Sequence, residues 1–377
     1  MKIKKILIIY PYSNHTNLMN VFTQKLYDKG LEVDAICLSG FHITKHTKIQ
    51  WGWLSNFVIE QSQKKSFISK VFRRISLGFI IYKILRKYDL IDFHAFVDYD
   101  IKLTKYCQEK GIKYDITFWG SDLMRADEAR VKRMGNEFSG CRCIKSSHNL
   151  YDDFVDKYGN HYDSKYEIVY FGNSDYDEID ALSIEEKQFI ASKLYDNTSK
   201  IIVVCGYNGS IYQNHKLMIQ AFKNLYNKYA SSVHLVFPMT YGAPLEYIDE
   251  IRETLKQSGY TFTILDKFLS NKEVATVRKT ADFVVNIQET DAFSGSLQDH
   301  LYCNEVLLIG EWLKYTLLEK YNVYYLKTSL QNLQQNIDDV LSNLEKHKKE
   351  CEDNHEKMKK MTSWNSVIDK WVVAYGR

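Results

Sequence analysis

The sequence predicts an α/β fold with two Rossmann-like, doubly wound domains. Short apolar runs alternate with helical stretches from Lys5 to Tyr170, and the same alternation begins again at Lys200. Because parallel sheets that carry helices on both faces show this alternation, each block predicts one such sheet. A chain of 377 residues is long enough for two domains that each bury a core.

The first block opens with a strand–helix–strand unit. The apolar run Lys5–Tyr10 predicts a buried strand, a helix follows a polar loop and ends near Tyr27, and residues 31–38 predict the second strand. Lys29 and Gly30 are typical of a helix end. Three further buried strands are predicted at Leu90–His94, 113–118 and 167–170.

The second block repeats this pattern and is followed by helices. A strand at 200–206 enters a polar turn, and residues 215–229 predict a helix. Further strands are predicted at Val233–Pro238, Thr261–Leu265, 283–287 and 306–309. A Lys/Glu-rich helix is predicted at 331–360, before an amphipathic helix that starts near Ser363. The predicted organisation is a first domain at 1–175, an interdomain linker at 176–198, a second domain at 199–355, and a helix at 356–377 that packs back on the first domain.

Composition and cysteine usage exclude several classes of protein. Fifty Lys and Arg against 47 Asp and Glu leave a net charge of +3, too balanced for a protein that coats nucleic acid by charge. Seven scattered cysteines, an odd number, predict reduced thiols in a cytoplasm. Cys141 and Cys143 are too close in sequence for a zinc knuckle, so no metal site is predicted. The apolar run at 6–9 is too short for a signal peptide.

The segment 288–299 carries the most information about chemistry. Neither GxGxxG nor GxxxxGK[ST] occurs, which argues against a dehydrogenase or a P-loop enzyme. Here, instead, a strand runs into a turn of small residues that opens a helix, and backbone N–H groups at a helix start can bind a diphosphate. An ordinary Ser/Gly helix cap is the alternative. Asp291 and Asp299 flank seven residues, and Asn304 follows five positions after Asp299.

This arrangement resembles the GT-B glycosyltransferases, whose second domain has two acids flanking seven residues, a glycine five positions later and a short strand. The resemblance implies that Asp299 binds the nucleotide ribose and that the turn faces the diphosphate and the donor sugar. Here both acids are Asp, and Asn304 replaces the glycine. Other segments resemble the same family: 116–123 its HGSD loop with Trp119 for His, 167–173 the end of its first domain, 206–222 its glycine turn and helix, and the helix after Ser363 its crossover helix.

The resemblance implies two domains that face each other across a cleft, with one departure. Retaining members commonly carry an Arg and a Lys that neutralise the diphosphate, where this chain has Tyr207 and Gln213. Segments 208–215, 237–244 and 293–297 instead resemble the transferases that add 4-acetamido-4,6-dideoxygalactose from a dTDP donor in enterobacterial common antigen synthesis. The expected donor is a dTDP- or UDP-linked sugar, and no metal or other cofactor is expected.

Glycosyl transfer develops positive charge at the anomeric carbon and negative charge on the leaving diphosphate. We assign the nucleotide and diphosphate of the donor to Gly206, Asn208, Ser210, Asn214, Tyr241, Ser294, Gly295, Ser296 and Asp299. The donor sugar is assigned to Glu289 and Asp291. An inverting enzyme also needs a base, for which the candidates at predicted strand ends are Asp122, His15 and Asp98, with His94 beside them. A helix cap or a loop hydrogen bond is the alternative for each.

The stretch 64–87 has eight Lys and Arg residues and no acid, interleaved with apolar residues at helical spacing. This is typical of a basic amphipathic helix on an anionic membrane, with a core-facing helix as the alternative. We assign membrane binding to Arg73, Arg74, Arg86 and Lys87.

The predicted function is a glycosyltransferase of bacterial cell-surface polysaccharide synthesis, peripheral on the cytoplasmic face of the membrane. It would move a sugar from a nucleotide-diphosphate donor to a lipid-linked or other saccharide, with inversion and without a metal. Two alternatives remain open: a sugar-nucleotide 2-epimerase of the same fold, and a non-catalytic nucleotide-sugar-binding scaffold of a polysaccharide assembly complex.

Overall fold

A computed structural model describes residues 3, 5–39, 42–63, 71–72, 75, 79–195 and 200–376. The chain forms two compact units. The first unit comprises residues 1–172 and 364–377, and the second unit comprises residues 173–363. The chain therefore passes from one unit to the other twice, after Gly172 and after Ser363.

The first unit has a seven-stranded sheet of order β3-β2-β1-β4-β5-β6-β7 in the described residues, parallel except for β3. Its strands are β1 (Lys5–Tyr10), β2 (Glu32–Cys37), β3 (Ile43–Lys45), β4 (Leu90–His94), β5 (Lys113–Thr117), β6 (Cys143–Ser146) and β7 (Tyr166–Ile168). β1 and β4 are buried almost throughout, as parallel strands covered on both faces must be. The apolar runs predicted these two strands with their observed bounds. β3 and β6 were not predicted.

Helices cover this sheet. Their bounds are α1 (Thr16–Asp28), α2 (Trp53–Gln63), α3 (Ile81–Leu85), α4 (Asp100–Lys110), α5 (Ser121–Met124), α6 (Glu128–Phe138) and α7 (His148–Tyr158). The C-terminal helix, Trp364–Gly376, belongs to the same unit. Its Trp371 is fully buried, packs on Phe22 of α1 with ring centroids 4.6 Å apart, and donates an indole hydrogen bond of 2.8 Å to the Tyr170 carbonyl. The amphipathic pattern near Ser363 thus marks a helix of the first unit's core.

The second unit has a parallel sheet of order β10-β9-β8-β11-β12-β13 in the part of the chain that is described. Its strands are β8 (Ile201–Cys205), β9 (Val233–Pro238), β10 (Thr261–Leu265), β11 (Phe283–Asn286), β12 (Val306–Gly310) and β13 (Leu326–Thr328). Strand order reverses between β8 and β11, which is the switch point where doubly wound sheets bind ligands. All of these strands except β13 were predicted within about a residue of their ends.

The helices of the second unit are α8 (Asp175–Ala181), α9 (Ile184–Leu194), α10 (His215–Asn224), α11 (Tyr226–Tyr229), α12 (Leu245–Lys256), α13 (Asn271–Thr280), α14 (Gly295–Tyr302), α15 (Thr316–Lys320), α16 (Leu333–Ser342), α17 (Leu344–Cys351) and α18 (Asn354–Thr362). The single helices expected at 215–229 and 331–360 were wrong. Leu225 divides the first of them, and the second is divided at Asn343 and again at residues 352–353. Among the described residues, no helix is long and apolar enough to cross a membrane.

Residues 176–198, interpreted above as an interdomain linker, contain most of α8 and the whole of α9. Tyr176, Ile179 and Ala191 are buried in the hydrophobic core of the second unit. Ser183 and Glu186 form a capping box at the start of α9. The acidic composition that suggested a linker belongs to the exposed faces of these helices.

Candidate active site

Three turns follow the carboxyl ends of β8, β9 and β11, which lie at one edge of the second unit's parallel sheet. The first turn begins at Gly206, whose φ is +69°. A Cβ at Gly206 would lie 2.9 Å from Oε1 of Gln213 and 3.3 Å from Nε2 of His215. Only glycine therefore fits this close approach of the turn to the start of α10.

The first turn is bonded to the second, which follows β9. The Gly209 N–H donates to the Tyr241 carbonyl at 2.7 Å, and Asn208 Oδ1 accepts from the Ser210 N–H at 2.9 Å. A Cβ at Gly209 would lie 2.6 Å from the Cβ of Ala243. Close backbone approach thus brings Asn208, Ser210 and Tyr241, three residues assigned to the donor from sequence, into one surface.

The first turn is also bonded to the third, which follows β11. Nδ2 of Asn214 donates to the Ile287 carbonyl at 2.8 Å, and Nε2 of Gln213 donates to Oε1 of Gln288 at 2.7 Å. Gln213 and Gln288 are both buried. Gln213 stands where the resemblance leads one to expect a Lys, so a buried amide pair that fixes two turns replaces a mobile cation.

The third turn leaves the start of α14 without a side-chain cap. Ser294 is the N-cap residue, but its hydroxyl makes no cap bond and donates to Oδ2 of Asp291 at 3.2 Å. Asp291 also accepts the Ser294 N–H at 3.1 Å and the Tyr315 hydroxyl at 2.7 Å. The ordinary Ser cap, which was the alternative for this segment, is therefore not formed. The first N–H groups of a helix lack intrahelical acceptors, and here they belong to Gly295, Ser296 and Leu297.

Backbone strain is found beside this helix start. Phe293 has a φ of +74°, which is uncommon for a bulky residue, and its ring is buried against Tyr315 with centroids 5.6 Å apart. Such a conformation costs about 1–3 kcal/mol and persists where the surroundings determine it. Here the packing of Phe293 on Tyr315 and the hydrogen bonds of Asp291 hold the strained conformation. These contacts also fix the start of α14 at the edge of the sheet.

A small cavity of about 10 Å³ lies between α14 and the sheet, with Gly206, Tyr207, Asn286 and Ser296 among its lining residues. The hydroxyl of Ser296 and both amide atoms of Asn286 have no hydrogen-bond partner among the described residues. This volume accommodates about one water molecule. Tyr207 occupies the position of the expected Arg, and burial together with nearby Asp291 raises the pKa of its phenol. It remains a neutral donor at physiological pH.

The two acids and Glu289 differ in exposure. Glu289 is exposed, whereas Asp291 is half-buried and braces the third turn as described. Asp299 is fully buried in α14, accepts Nδ2 of Asn173 at 2.6 Å and lies 3.4 Å from Nε of Arg278. Burial and the nearby Asp175 raise the pKa of Asp299 to about 8. A ribose could reach this carboxyl only by displacing a protein donor, so the ribose assignment remains a prediction.

In the first unit, two of the candidate bases have structural partners. Asp122 is buried and accepts the N–H groups of Trp119 at 3.0 Å and Gly120 at 2.8 Å. Burial raises the pKa of Asp122 to about 6. Asp98 forms an exposed ion pair with Arg133, with the nearest atoms 3.0 Å apart. Asp122 therefore makes the loop hydrogen bonds that were its alternative, and Asp98 is paired with Arg133 of α6, while a role of either carboxylate as the base stays a prediction.

His15, the remaining candidate, differs from these two carboxylates in its setting. It ends a short 3₁₀ turn, Ser13–His15, that follows β1, and its side chain is half-buried. Burial lowers the pKa of His15 to about 4, so the imidazole is neutral near pH 7 and has a free lone pair. His94, at the end of β4, is instead completely buried between other aromatic rings.

The predicted membrane stretch is described only in part. Arg73 and Arg74 lie outside the described residues. Lys87 donates to the Gln50 carbonyl at 2.6 Å, and the guanidinium of Arg86 lies 5.7 Å from the ring centroid of Tyr106. Within the described ranges, no group of three or more His, Cys, Asp or Glu residues could hold a metal ion.

Sequence reasoning assigned no role to Gln288, although it lies in the segment singled out, and it did not identify Tyr315. Gln288 directly follows the predicted strand at 283–287, so its position at a strand end was a usable signal. Tyr315 lies 24 residues after Asp291, to which it donates, and no local pattern indicates this bond. Both residues fix the third turn.

Comparisons with known proteins place this arrangement in a fold. No family model matches the chain, and no curated protein matches it in sequence. Several solved structures match it over nearly the whole length. A glycosyltransferase from Rickettsia africae has a TM-score of 0.75 and 15% identity, covering 100% of this chain and 98% of that chain. HepE of Anabaena, solved with UDP and glucose, has a TM-score of 0.72 and 12% identity, covering 98% of each chain.

Sucrose-phosphate synthase of Thermosynechococcus elongatus has a TM-score of 0.67 and 10% identity, covering 99% of this chain and 98% of that chain. The fold is GT-B. This confirms the fold class expected from the motifs. The location of a nucleotide-sugar site in this chain is inferred only from the resemblance of its motifs. The closer similarity to the 4-acetamido-4,6-dideoxygalactose transferases stays a prediction.

Proposed function

We propose that the protein is a glycosyltransferase that moves a sugar from a nucleotide-diphosphate donor to a lipid-linked saccharide in bacterial cell-surface polysaccharide synthesis. The observation that carries the proposal is the uncapped start of α14 at the switch point of a GT-B second unit. Its free N–H groups and the positive end of its dipole suit a diphosphate. HepE of Anabaena, a structural neighbour, was solved with UDP-glucose.

The donor diphosphate is proposed to bind at Ser294, Gly295 and Ser296, with the Asn208–Ser210 turn beside it. Negative charge grows on this diphosphate as the glycosidic bond breaks, and preorganised donors stabilise such charge. Tyr207 and Gln213 replace the cationic pair with neutral groups, so the helix start and the hydroxyls carry this task. We therefore propose a metal-independent reaction, with the ribose bound by Asp299 after exchange of its bond to Asn173.

In the acceptor half of the reaction, His15 is proposed to take the proton of the attacking hydroxyl. The acceptor oxygen bonds to the anomeric carbon, the bond from that carbon to the diphosphate oxygen breaks, and its electron pair leaves with the nucleotide. Attack from the face opposite the diphosphate inverts the anomeric configuration. His15 is neutral near pH 7, so its imidazole can accept a proton.

The basic stretch 64–87 supports a lipid-linked acceptor and peripheral binding to the inner face of the membrane. The panel of donors that tests the proposal should include UDP- and dTDP-linked sugars, among them dTDP-4-acetamido-4,6-dideoxygalactose. The full chain is incubated with each donor and with detergent-solubilised polyprenyl-diphosphate saccharides, and lipid-linked and free products are separated. Sugar transfer to the lipid supports the proposal.

The same experiment decides between the alternatives. Free epimerised nucleotide sugar would indicate the 2-epimerase. Nucleotide-sugar binding without turnover would indicate the scaffold, which Tyr207 and Gln213 in place of the cationic pair favour. Either outcome would contradict the transferase proposal.

A further inference from the structure

Trp119, in the loop after β5, is anchored to a buried histidine. Its indole Nε1 lies 3.2 Å from Nδ1 of His94. Because an indole N–H can only donate, Nδ1 of His94 must be the acceptor, and the imidazole proton is assigned to Nε2. That nitrogen lies 3.0 Å from Oδ2 of Asp92. The carboxylate thus selects the tautomer of His94 that receives Trp119.

Asp92 is itself held from several sides. Thr117 donates to its Oδ1 at 2.9 Å, Tyr375 of the C-terminal helix donates to its Oδ2 at 2.7 Å, and Nζ of Lys145 lies 3.1 Å from Oδ2. Asp92, Lys145 and His94 are all fully buried. Because Asp92 and His94 are buried and held by these directional bonds, each has a single orientation. The hydrogen bond from Trp119 to His94 therefore also fixes the orientation of the indole.

Trp119 in turn packs on His15. Their ring centroids are 4.7 Å apart with an interplanar angle of 75°, an edge-to-face contact. The ring of Tyr12 lies 6.2 Å from His15 on another side. Among the described residues, no hydrogen bond to either ring nitrogen of His15 is found, so ring packing alone sets the direction of its lone pair.

We propose that Trp119 is the positioning residue of His15, with the Asp92–His94 pair fixing the indole and the indole fixing the imidazole. The proposal rests on the proposed function through the assignment of His15 as the base. A misplacement of a catalytic group by about 1 Å can lower the rate about 10²-fold. An indole fixed by a hydrogen bond therefore contributes more to the rate than a ring that only fills the same space. Trp119 stands where the resembled family has a His, and here the ring serves placement.

The test compares Trp119→Phe with Trp51→Phe. The first change keeps an aromatic ring and removes the N–H that His94 receives. Trp51→Phe is a matched control in the same unit, since Trp51 is buried and donates an indole bond of 2.9 Å to the Tyr88 hydroxyl. We expect Trp119→Phe to lower kcat about 10- to 100-fold with KM for the donor nearly unchanged, and Trp51→Phe to leave both unchanged.

A second readout does not depend on activity. The protein is isotopically labelled at histidine, and the NMR signals of the His15 imidazole are followed as a function of pH. These signals are assigned by their disappearance in His15→Gln. In Trp119→Phe we expect His15 to titrate at higher pH than in the wild type, because a loosened contact admits water. His94→Gln, whose amide can accept from Trp119 and donate to Asp92, should preserve the wild-type titration.

An unchanged His15 titration together with unchanged kcat in Trp119→Phe would overturn the positioning role. If Trp119→Phe shifts the titration but His15→Gln retains the wild-type kcat, Trp119 still positions His15 and the assignment of His15 as the base fails. If the wild type transfers no sugar, the proposed function fails, while the titration still decides whether Trp119 holds His15.

Discussion

The hydroxyl of Tyr375 donates a 2.7 Å hydrogen bond to Asp92, across 283 positions of the chain. Tyr375 lies on the C-terminal helix and Asp92 on the central strand β4, and both are fully buried. Lys145 pairs with Asp92 at 3.1 Å and also with Asp115, which is bonded by Arg142. Two carboxylates and two cations thus balance in the core of the first unit, and the last helix of the chain closes over them.

Lys145→Met is expected to destabilise the protein strongly. Methionine fills a similar length, but Asp92 and Asp115 are then left in the core with Arg142 as their remaining cation. Removal of one partner of a buried ion pair costs about 3–5 kcal/mol. Urea denaturation followed by circular dichroism measures this loss as a lower transition midpoint.

The matched control is Lys29→Met. Lys29 also pairs with an aspartate, Asp369 of the C-terminal helix, at 2.6 Å, but these side chains are 43% and 71% exposed. Exposed pairs contribute about 0–1 kcal/mol, so the free energy of unfolding should hardly change. Similar losses in both variants would show that the buried network does not stabilise the first unit.

The same network explains what the sequence could and could not predict of the fold. Strands such as β1, β4 and β9 are mostly apolar, and local pattern detects them even though β4 carries Asp92 and His94. β6 contains Lys145, and a lysine inside a core strand contradicts that pattern. Its charge is balanced by Asp115 on the adjacent strand β5 and by Asp92 on β4, one strand further along the sheet, and no local window of sequence contains these partners.

In the site, too, local features could be predicted from sequence, whereas contacts between distant residues could not. The small residues of 294–296 and the glycine at Gly206 are local signals of tight turns and a helix start, and the structure has both there. The bond from Gln213 to Gln288 joins residues 75 positions apart. Helical spacing also does not show what Asp299 of α14 contacts, because its partners Asn173 and Arg278 come from other segments.

Gly295→Asp is expected to weaken nucleotide binding without harm to the fold. A Cβ at Gly295 meets no atom within 4 Å, and the residue is exposed. A carboxylate at a helix start stabilises the helix by about 0.3–1 kcal/mol, yet it would repel a diphosphate at the same N–H groups. Calorimetric titration with UDP and dTDP should show at least about a tenfold loss of affinity, or about 1.4 kcal/mol.

Gly295→Asn is the control for this prediction, because it has nearly the same shape and no charge. It should bind the nucleotides more tightly than Gly295→Asp, and thermal unfolding should find both variants about as stable as the wild type. Equal nucleotide affinity in the two variants would argue against a diphosphate at the start of α14.

Asp299→Asn is expected to flatten the dependence of stability on pH. The pKa of Asp299 is about 8 in the folded protein, above the ordinary carboxyl value of about 3.9. The folded state therefore binds more protons than the unfolded state between about pH 4 and pH 8, so the contribution of Asp299 to the free energy of unfolding is fully present below about pH 4 and lost as pH rises to about 8.

Urea denaturation of the wild type and of Asp299→Asn at pH 5 and pH 8 measures the effect. The variant should gain stability relative to the wild type at pH 8, on the order of several kcal/mol. Asp98→Asn, at an exposed ion pair, should follow the wild type at both values. Nucleotide titration of Asp299→Asn above about pH 8, where the wild-type carboxyl is ionised, also tests the ribose assignment, for which roughly a 10- to 150-fold loss of affinity is expected.

Transfer activity is expected to persist after removal of divalent metal. In the proposed function, the uncapped helix start and neutral hydroxyls take the place of the metal ion that stabilises the leaving diphosphate in other enzymes. The rate of sugar transfer should be equal before and after dialysis against EDTA, and added Mn²⁺ or Mg²⁺ should not raise it. Activity lost with EDTA and restored by Mn²⁺ would contradict the proposed donor site.

The basic stretch makes a quantitative prediction for membranes. Each Lys or Arg near an anionic surface contributes about 1 kcal/mol, so replacing Arg73, Arg74, Arg86 and Lys87 by Gln should lower the vesicle partition coefficient roughly a thousandfold at low salt.

The control replaces four exposed lysines of the second unit, Lys320, Lys346, Lys349 and Lys360, by Gln. Both variants lose the same net charge, so only the position of the charges differs. Sedimentation with vesicles that contain phosphatidylglycerol should leave the first variant in the supernatant and the control with the vesicles. Because salt screens these charges, wild-type binding should itself weaken between 0.05 and 0.5 M NaCl, values chosen to span roughly a threefold change in Debye length. Equal release of both variants would show that net charge, and not the stretch 64–87, governs the association.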